Sequence, residues 1–413
     1  MSKQFLTRIS GILGNLLEHY DQALFALIAP FLSPLFFEGK DPIAALILTY
    51  SMLPLGLITR PLGSLFFGWI GDNFGRRQSL FISLLGMALI TVAIGCLPTY
   101  HSIGYWAPLL LALGRMMQSF FVAGEATGGA IFVLEHTSSH QRSWMSSLYD
   151  ASAVVGILIA SFLVFILSLT GNIQMQWRYL FFLGGITGLI GVFLRLKTEE
   201  PKDFVLSKRV KESFFHILKE HKAALFSITA ASGFSYVTYS LAFTLMNGYV
   251  PVVTSLSNHS MIEINTPLLF FDFLLLPLFG YIAHQWGKEK VMLIGSIGAA
   301  LFAIPLFSLL NQGGLLTVIF IRSTVIVFGV AFAATYHAWA IEQVPPQHRF
   351  RILSLGSALG SQILGAPCTA ICLWVYHKTH WTASPGIYLA AAALMASFAL
   401  RRSMKPALLE TQQ

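Results

Sequence analysis

The sequence predicts an all-α integral membrane protein with twelve transmembrane helices in two pseudo-symmetric six-helix bundles. Three observations support this prediction. The 413-residue chain is 55% hydrophobic and only 11% charged, whereas soluble domains carry roughly 25% charged residues. Apolar stretches of roughly 20 residues, long enough to cross a bilayer, recur along the whole chain. Related motifs then recur at a fixed distance in its two halves.

The apolar stretches define twelve predicted spans. They cover residues 11–37, 43–71, 78–97, 106–134, 143–170, 178–196, 223–253, 266–286, 290–310, 314–343, 350–376 and 384–401. We expect the first to remain as an uncleaved helix, because Glu18 and Asp21 interrupt any apolar region of a signal peptide. The polar stretch between spans six and seven predicts a cytoplasmic linker that could carry a short surface helix. The expected domains are therefore 1–197 and 223–413, joined by linker 198–222.

The positive charges predict the orientation of these spans. The net charge of +8 lies in short loops, which is typical of membrane topology rather than of nucleic-acid binding. Most Lys and Arg residues fall in loops on one side, which predicts that both termini are cytoplasmic. The exceptions are three residues in the opposite loops and three within spans: Lys40, Arg178 and Lys378, and Arg60, Arg115 and Arg322. Three cysteines are too few for a disulfide framework.

An internal repeat relates the two halves. Three pairs of residues lie 207 positions apart: Arg115 and Arg322, Glu135 and Glu342, and Arg142 and Arg349. The segment GWIGDNFGRR (68–77) is also echoed by GYIAHQWGKE (280–289). A constant offset across long apolar segments predicts two parallel six-helix repeats.

Charged residues inside the spans are the first candidates for functional sites, because each costs at least ~2.5 kcal/mol on insertion scales. The acids are Glu18, Asp21, Glu125, Asp150 and Asp272, and the bases are Arg60, Arg115 and Arg322.

Glu18 and Asp21 are three residues apart and should share one helix face. Their mutual repulsion favours a proton on one of them, which suits a proton acceptor; alternatively, both are satisfied by partners on other helices. Arg115 could grip a carboxylate with its bidentate fork, or pair structurally with an acid of span one. Glu125 is ten residues further along and should not pair with Arg115 directly. Tyr20 is a candidate cavity aromatic.

The loop between spans two and three predicts a conformational switch. Gly68 and Gly75 allow a tight turn and close approach of helices, and Asp72 could cap a helix N-terminus. Arg76 and Arg77 could pair with acids of neighbouring loops. Candidate partners and neighbours in the next loop are Glu135 and Arg142. Such contacts would hold one conformation and release in another; the alternative is an ordinary loop of positive charge.

This loop resembles the signature of the major facilitator superfamily. The first half more specifically resembles the metabolite:proton symporters, in GNLLEHYDQALFA (14–26), RPLGSLFFGWIGDNFGRR (60–77), RMMQSFFVAGEATGGAIFVLEH (115–136) and EEPKDF (199–204). The segment Gly124–Asp150 is similar to bacterial proline/betaine transporters. His19 and Gln22 depart from the family, which has aromatic residues on both sides of the Tyr-Asp pair.

The resemblance implies the major facilitator fold, alternating access and proton-coupled import of a small organic solute. A zwitterion such as proline or glycine betaine is one expectation, and a carboxylate such as 2-oxoglutarate or citrate is the alternative, with a drug-type proton antiporter as a third possibility. Proton and sodium coupling both stay open. The expected location is a bacterial inner membrane, and the expected state is a monomer in the bilayer, without nucleic-acid partners.

Two other classes of protein remain as alternatives. A membrane-embedded enzyme would need a nucleophile and base near one interface, and no Ser/His/acid grouping of that kind stands out. A sensor would bind solute without accumulating it. The sequence has no G-x-x-x-x-G-K-[ST] phosphate loop, so we do not expect ATP to be the direct energy source and expect the proton gradient instead. We also expect no metal or other cofactor, because Cys368 and Cys372 have no His or acid beside them.

Overall fold

The protein is described here from a computed structural model. The structure describes residues 3–38, 45, 48–49, 52, 55–169, 173–200, 213–256 and 258–410. Throughout these residues the regular structure is helical, without strands. Most of the beginning of predicted span two and residues 201–212 of the predicted linker lie outside the described residues.

The first half contains six long helices, one for each predicted span. They are α1 (Lys3–Phe36), α2 (Gly56–Asn73), α3 (Arg76–Gly95), α4 (Trp106–Glu135), α5 (Arg142–Leu169) and α6 (Ile173–Leu196). The predicted linker carries a short helix, Phe214–Glu220, at its end.

The second half repeats this order with more interruptions. Helix α7 (Lys222–Tyr239) continues through a π-helical turn, Ser240–Leu245, into Met246–Val253. Helices α8 (Asn258–Trp286), α9 (Lys288–Ser308) and α10 (Leu315–Ala333) follow, and a short helix Tyr336–Ala340 extends α10. Helix α11 (Arg349–Leu359) has a second π-helical turn, Gly360–Gly365, before Cys368–Thr379. Helix α12 is Ser384–Glu410.

The helices agree with the predicted membrane character. Nine helical stretches among the described residues are long and apolar enough to cross a membrane. The other three predicted spans coincide with α1, α2 and α7. Helix α1 is long but carries Glu18 and Asp21, α2 is described only from Gly56, and α7 is divided by its π-helical turn.

The helices pack in two compact units with matching internal contacts. One unit comprises residues 3–136 and 152–209 as far as they are described, and the other comprises 137–151 and 210–410. In the first unit α1 packs on α4 and α6, α2 packs on α4, and α3 packs on α4 and α6. In the second, α7 packs on α10 and α12, α8 packs on α10, and α9 packs on α10 and α12. Each contact in one unit has its counterpart six helices later, which is the pattern expected of two parallel repeats.

Small residues set the spacing of helices in the first unit. A side chain at Gly124 would collide with Phe67 and Ser83, and one at Gly156 would collide with the backbone of Leu16. Small residues at such positions let helix backbones approach closely in a membrane, where dispersion contacts replace the hydrophobic effect. The close approach brings the polar side chains of α1 within reach of α3, α4 and α6.

Candidate functional site

Helix α1 of the first unit carries a column of polar contacts. It begins at Gly14, continues through Glu18 and ends at Asp21, which is about 10 Å along the axis at 1.5 Å per residue. Glu18 is fully buried and Asp21 is only 4% exposed. Each level of the column meets side chains from different helices.

The Asp21 level is a hydrogen-bonded network across three helices. Thr91 of α3 and Gln118 of α4 both donate to Asp21 Oδ2 at 2.7 Å. Arg115 Nη1 in turn donates to Gln118 Oε1 at 2.6 Å. The guanidinium also lies 4.3 Å from the ring centroid of Phe25. The cation and the acid are therefore linked through an amide rather than through a direct ion pair.

Hydrogen-bonding capacity remains on both ends of this network. Within the described ranges, Asp21 Oδ1 and Arg115 Nε are buried and have no hydrogen-bond partner, and no carboxylate lies within 4.0 Å of the Arg115 guanidinium. Buried polar atoms without a partner are costly and mark places where a ligand can bind. The direct pair of Arg115 with an acid of α1, one of the two interpretations from sequence, is not formed.

The Glu18 level has weaker partners. Gln22 Nε2 donates to Glu18 Oε1 at 2.7 Å, and Arg60 Nη2 of α2 lies 3.9 Å from the same oxygen. The other oxygen, Oε2, is buried without a hydrogen-bond partner in the described part of the chain. Glu18 and Asp21 thus engage separate sets of side chains, although sequence spacing predicted that they would act on each other.

The Gly14 level of the column contains a buried ion pair. Glu125 of α4 accepts a hydrogen bond from Arg195 of α6, and both side chains are fully buried. A side chain at Gly14 would collide with both partners. Sequence analysis counted Arg195 among the charges of the cytoplasmic side, and the structure adds that its side chain is buried against Glu125. Glu125 does not pair with Arg115, as the helical spacing predicted.

Tyr20 lies beside the column but faces the packed interior. It is 3% exposed, and its hydroxyl donates to the Leu180 carbonyl at 3.0 Å. This contact anchors α1 to α6.

The second unit has its own buried cation. Arg322 of α10 is fully buried and donates to Asn265 of α8 at 2.5 Å. No carboxylate lies within 4.0 Å of it in the described residues. It occupies the position in α10 that Arg115 occupies in α4.

Asp150 lies in a separate acid–histidine pair. Its Oδ1 is 3.3 Å from His337 Nε2, and the His337 ring makes an edge contact with Tyr149 at 5.6 Å. His337 belongs to the short helix that extends α10. Nothing in the sequence around His337 marked it as a partner of Asp150. This pair and the Asp21 network are described in different units.

The predicted switch loop forms a network around Arg76. This residue is fully buried; its Nη1 donates to Gly71 O at 2.7 Å and to Asp72 Oδ1 at 2.5 Å, and its Nε donates to Glu135 Oε2 at 3.3 Å. The expected contact between this loop and Glu135 is therefore present. Gly68 is buried in α2, and Arg142 begins α5 in the other unit.

Glu200 completes this loop from a position that sequence reasoning passed over. Its carboxylate accepts hydrogen bonds from the backbone amides of Arg76 at 2.9 Å and Arg77 at 3.1 Å. It thus occupies the N-terminus of α3, where we had expected Asp72. Gly75 precedes α3 with a φ of 124°, a conformation that glycine tolerates. A side chain there would also collide with Glu200. Burial raises the pKa of the Glu200 carboxyl.

The second unit repeats the geometry of this loop. Gly287 precedes α9 with a φ of 94°, and Lys288 Nζ lies 2.8 Å from Glu342 Oε2. Lys288 and Glu342 stand where Arg76 and Glu135 stand in the first unit. Here the side chains are 20% and 35% exposed, so the pair is partly solvated.

These features define a class of protein. The described residues form twelve helical regions in two repeats, with buried charges within apolar helices and a charged loop after the second helix of each repeat. These features are typical of secondary transporters. Residues 13–366 match the Major Facilitator Superfamily, and the chain belongs to this family. It is a multi-pass membrane transporter of small-molecule solutes rather than an enzyme.

Named relatives refine this picture. The chain is 30% identical over 405 residues to a proline/betaine transporter of Salmonella typhimurium, covering 93% of this chain and 80% of the relative. It is 29% identical over 404 residues to the glycine betaine/proline/ectoine/pipecolic acid transporter OusA of Dickeya dadantii, covering 94% and 80%. Its fold matches the proton:xylose symporter XylE with a TM-score of 0.75 at 17% identity, covering 98% of this chain and 96% of that one.

Proposed function

We propose that this transporter imports a zwitterionic osmolyte, of the proline or glycine betaine kind, together with protons. The observation that carries the proposal is that Arg115 and Asp21 each keep a buried polar atom without a hydrogen-bond partner among the described residues. In the described part of the chain, Arg115 has no carboxylate within 4.0 Å, and one amide, that of Gln118, separates it from Asp21, which has an unpartnered oxygen. The names of the relatives support the same class of solute.

The two ends of a zwitterion match this arrangement. The guanidinium of Arg115 would bind the solute carboxylate, because it is planar and bidentate, and Gln118 would give up its hydrogen bond. Asp21 would face the cationic end, by a hydrogen bond to the secondary ammonium of proline or by charge alone to a quaternary ammonium. Each solute charge is then balanced inside the apolar bundle.

Glu18 is the acid best suited to carry the coupled proton. Its nearest cation is 3.9 Å away, and one of its oxygens has no partner among the described residues. Glu125, by contrast, is already engaged in a buried ion pair with Arg195. Among Glu18, Asp21 and Glu125, the geometry therefore favours Glu18 as the proton carrier, with Asp21 serving the solute. We also propose that both termini face the cytoplasm of a bacterial inner membrane, as the positive loops predict.

A transport assay in proteoliposomes tests the proposal. Uptake of labelled proline and glycine betaine is measured with and without an imposed inward proton gradient, in sodium-free buffer. We expect accumulation only with the gradient. Glu18→Gln should lose accumulation but keep exchange of external for internal solute, since exchange needs no net proton transfer.

Arg115→Gln should lose solute binding, and Asp21→Asn should weaken it. Arg401→Gln is the matched control, because Arg401 is exposed at the end of the chain's last apolar stretch. Accumulation driven by sodium alone would contradict proton coupling. Full accumulation by Glu18→Gln would contradict the assigned proton acceptor.

A carboxylate symporter is the second candidate, supported by Arg322. This second buried guanidinium also lacks a carboxylate within 4.0 Å in the described residues, so the second unit has a cation of its own for an anionic group. Excess proline, glycine betaine, 2-oxoglutarate and citrate should be compared as competitors of uptake. If only the carboxylic acids compete, and Arg322→Gln abolishes that competition, the zwitterion assignment is wrong.

A further inference from the structure

Two histidines and a glutamate meet in the second unit, where the linker helix and two membrane helices begin or end. Glu220 ends the short helix Phe214–Glu220, His221 directly precedes α7, and His348 directly precedes α11. Their ligand atoms all lie within 4.8 Å of one another. The proposed transport mechanism uses none of these three residues.

The two imidazoles share a hydrogen bond. His221 Nε2 and His348 Nδ1 are 2.9 Å apart, so one nitrogen carries the proton and the other presents its lone pair. Two imidazole nitrogens bound to one tetrahedral zinc ion, each at 2.0–2.1 Å, are about 3.3 Å apart. A divalent metal can therefore replace the shared proton if the rings separate by a few tenths of an ångström.

The glutamate supplies a third ligand of the right kind. Glu220 Oε1 lies 3.9 Å from His221 Nε2. Its side chain is 50% exposed, so rotation can bring the carboxylate to a metal held by the two rings. Two histidines and one carboxylate form a ligand set that zinc commonly uses, with a fourth position left for water.

The backbone around the cluster is fixed before any metal binds. His221 N donates to Ile217 O at 3.0 Å and His348 N donates to Pro345 O at 3.1 Å. Helices α7 and α11 also pack closely, because side chains at Gly356 and Gly360 would collide with Ile228 and the backbone at Thr229. Ligands on rigid elements lose little entropy on binding.

We propose that Glu220, His221 and His348 form a binding site for a divalent transition-metal ion of the zinc type. The bound metal would join the first turns of α7 and α11 and the end of the linker helix. Its expected consequence is higher thermal stability of the second unit, because a metal that binds only the folded chain stabilises it. This proposal does not depend on the identity of the transported solute.

Metal titration of the purified full chain tests the site. The protein, carrying an affinity tag without histidines, is treated with chelator and titrated with ZnCl₂ and CoCl₂ in detergent. We expect one metal ion per chain, a visible absorption band typical of four-coordinate cobalt, and a rise in the unfolding temperature with zinc. Each of His221→Ala, His348→Ala and Glu220→Gln should weaken zinc binding roughly tenfold or more.

His216→Ala is the matched control, because His216 is exposed on the same short helix and is not part of the cluster. This variant should bind zinc as tightly as the wild-type chain. Glu220→Gln guards against misfolding, since its half-exposed side chain can change without disturbing the buried His348. Absence of zinc binding by the wild-type chain would overturn the proposal. Unchanged zinc affinity in Glu220→Gln and His221→Ala, or an equal loss in His216→Ala, would also overturn it.

Discussion

The buried ion pair between Glu125 and Arg195 allows a direct test of the structural assignment. Replacing Glu125 by Gln removes one charge and leaves the Arg195 guanidinium fully buried. Breaking a buried pair on one side costs about 3–5 kcal/mol, because the remaining charge stays desolvated without compensation. We therefore expect Glu125→Gln to lower the free energy of unfolding by about that amount.

A double variant separates this effect from a loss of proton coupling. Glu125→Gln combined with Arg195→Met removes both charges and retains most of the side-chain volume, so it should recover most of the lost stability. Equilibrium unfolding in mixed detergent micelles measures each variant. Glu289→Gln is the control: its partner Lys288 lies 4.0 Å away and is partly exposed, so its effect should stay below about 1 kcal/mol.

Two results would contradict a stabilising interaction between Glu125 and Arg195. One is a destabilisation by Glu125→Gln no greater than that of Glu289→Gln. The other is a double variant as unstable as the sum of its two single changes, because independent effects of this kind would mean that the residues do not interact.

Three further predictions follow from the loops and from the acid–histidine pair. Because the pKa of Glu200 is raised on folding, the stability that its carboxyl contributes is fully present below the unfolded pKa of 4.5 and is lost as pH rises through the folded pKa. Glu200→Gln keeps an acceptor oxygen and should therefore gain stability relative to wild type as pH rises. A constant difference in thermal unfolding between pH 4 and pH 7 would refute this. Glu135→Gln should slow transport severalfold while solute affinity stays near normal. Its effect should exceed that of Glu342→Gln, because only Glu135 is a fully buried partner of a basic side chain. Equal effects of the two variants on initial uptake rate would contradict this comparison. Asp150→Asn and His337→Gln should reduce the uptake rate equally, and the double variant no further, because each removes the same 3.3 Å pair; additive losses would show that the two act separately.

Sequence reasoning predicted the helical architecture because its signals are local or periodic. Apolar runs mark spans whatever their neighbours, and the offset between Arg115 and Arg322 marks the repeat. The ion pair of Arg76 with Glu135 was also predictable from sequence, because both residues lie at helix ends next to loops that are expected on the same side of the membrane.

The partners of the intramembrane charges were not predictable in the same way. Arg195 lies at the end of an apolar run, so it looked like an ordinary loop charge, yet helix packing buries it against Glu125. Gln118 and Thr91 are uncharged, and nothing in the sequence distinguished them as the partners of Asp21. Which face of one helix meets which face of another depends on packing across the whole unit.

The charged loops of the two units differ in how they are exposed to ions. The pair of Arg76 and Glu135 has no solvent-exposed side-chain surface, whereas Lys288 and Glu342 are partly in contact with water. Dissolved salt screens charges at the surface over about 8 Å at physiological ionic strength, but it screens buried pairs much less. We therefore expect the ion pair of the second repeat to weaken as salt rises, whereas the ion pair of the first repeat should change little. The two similar halves of the chain should then differ in their response to ionic strength.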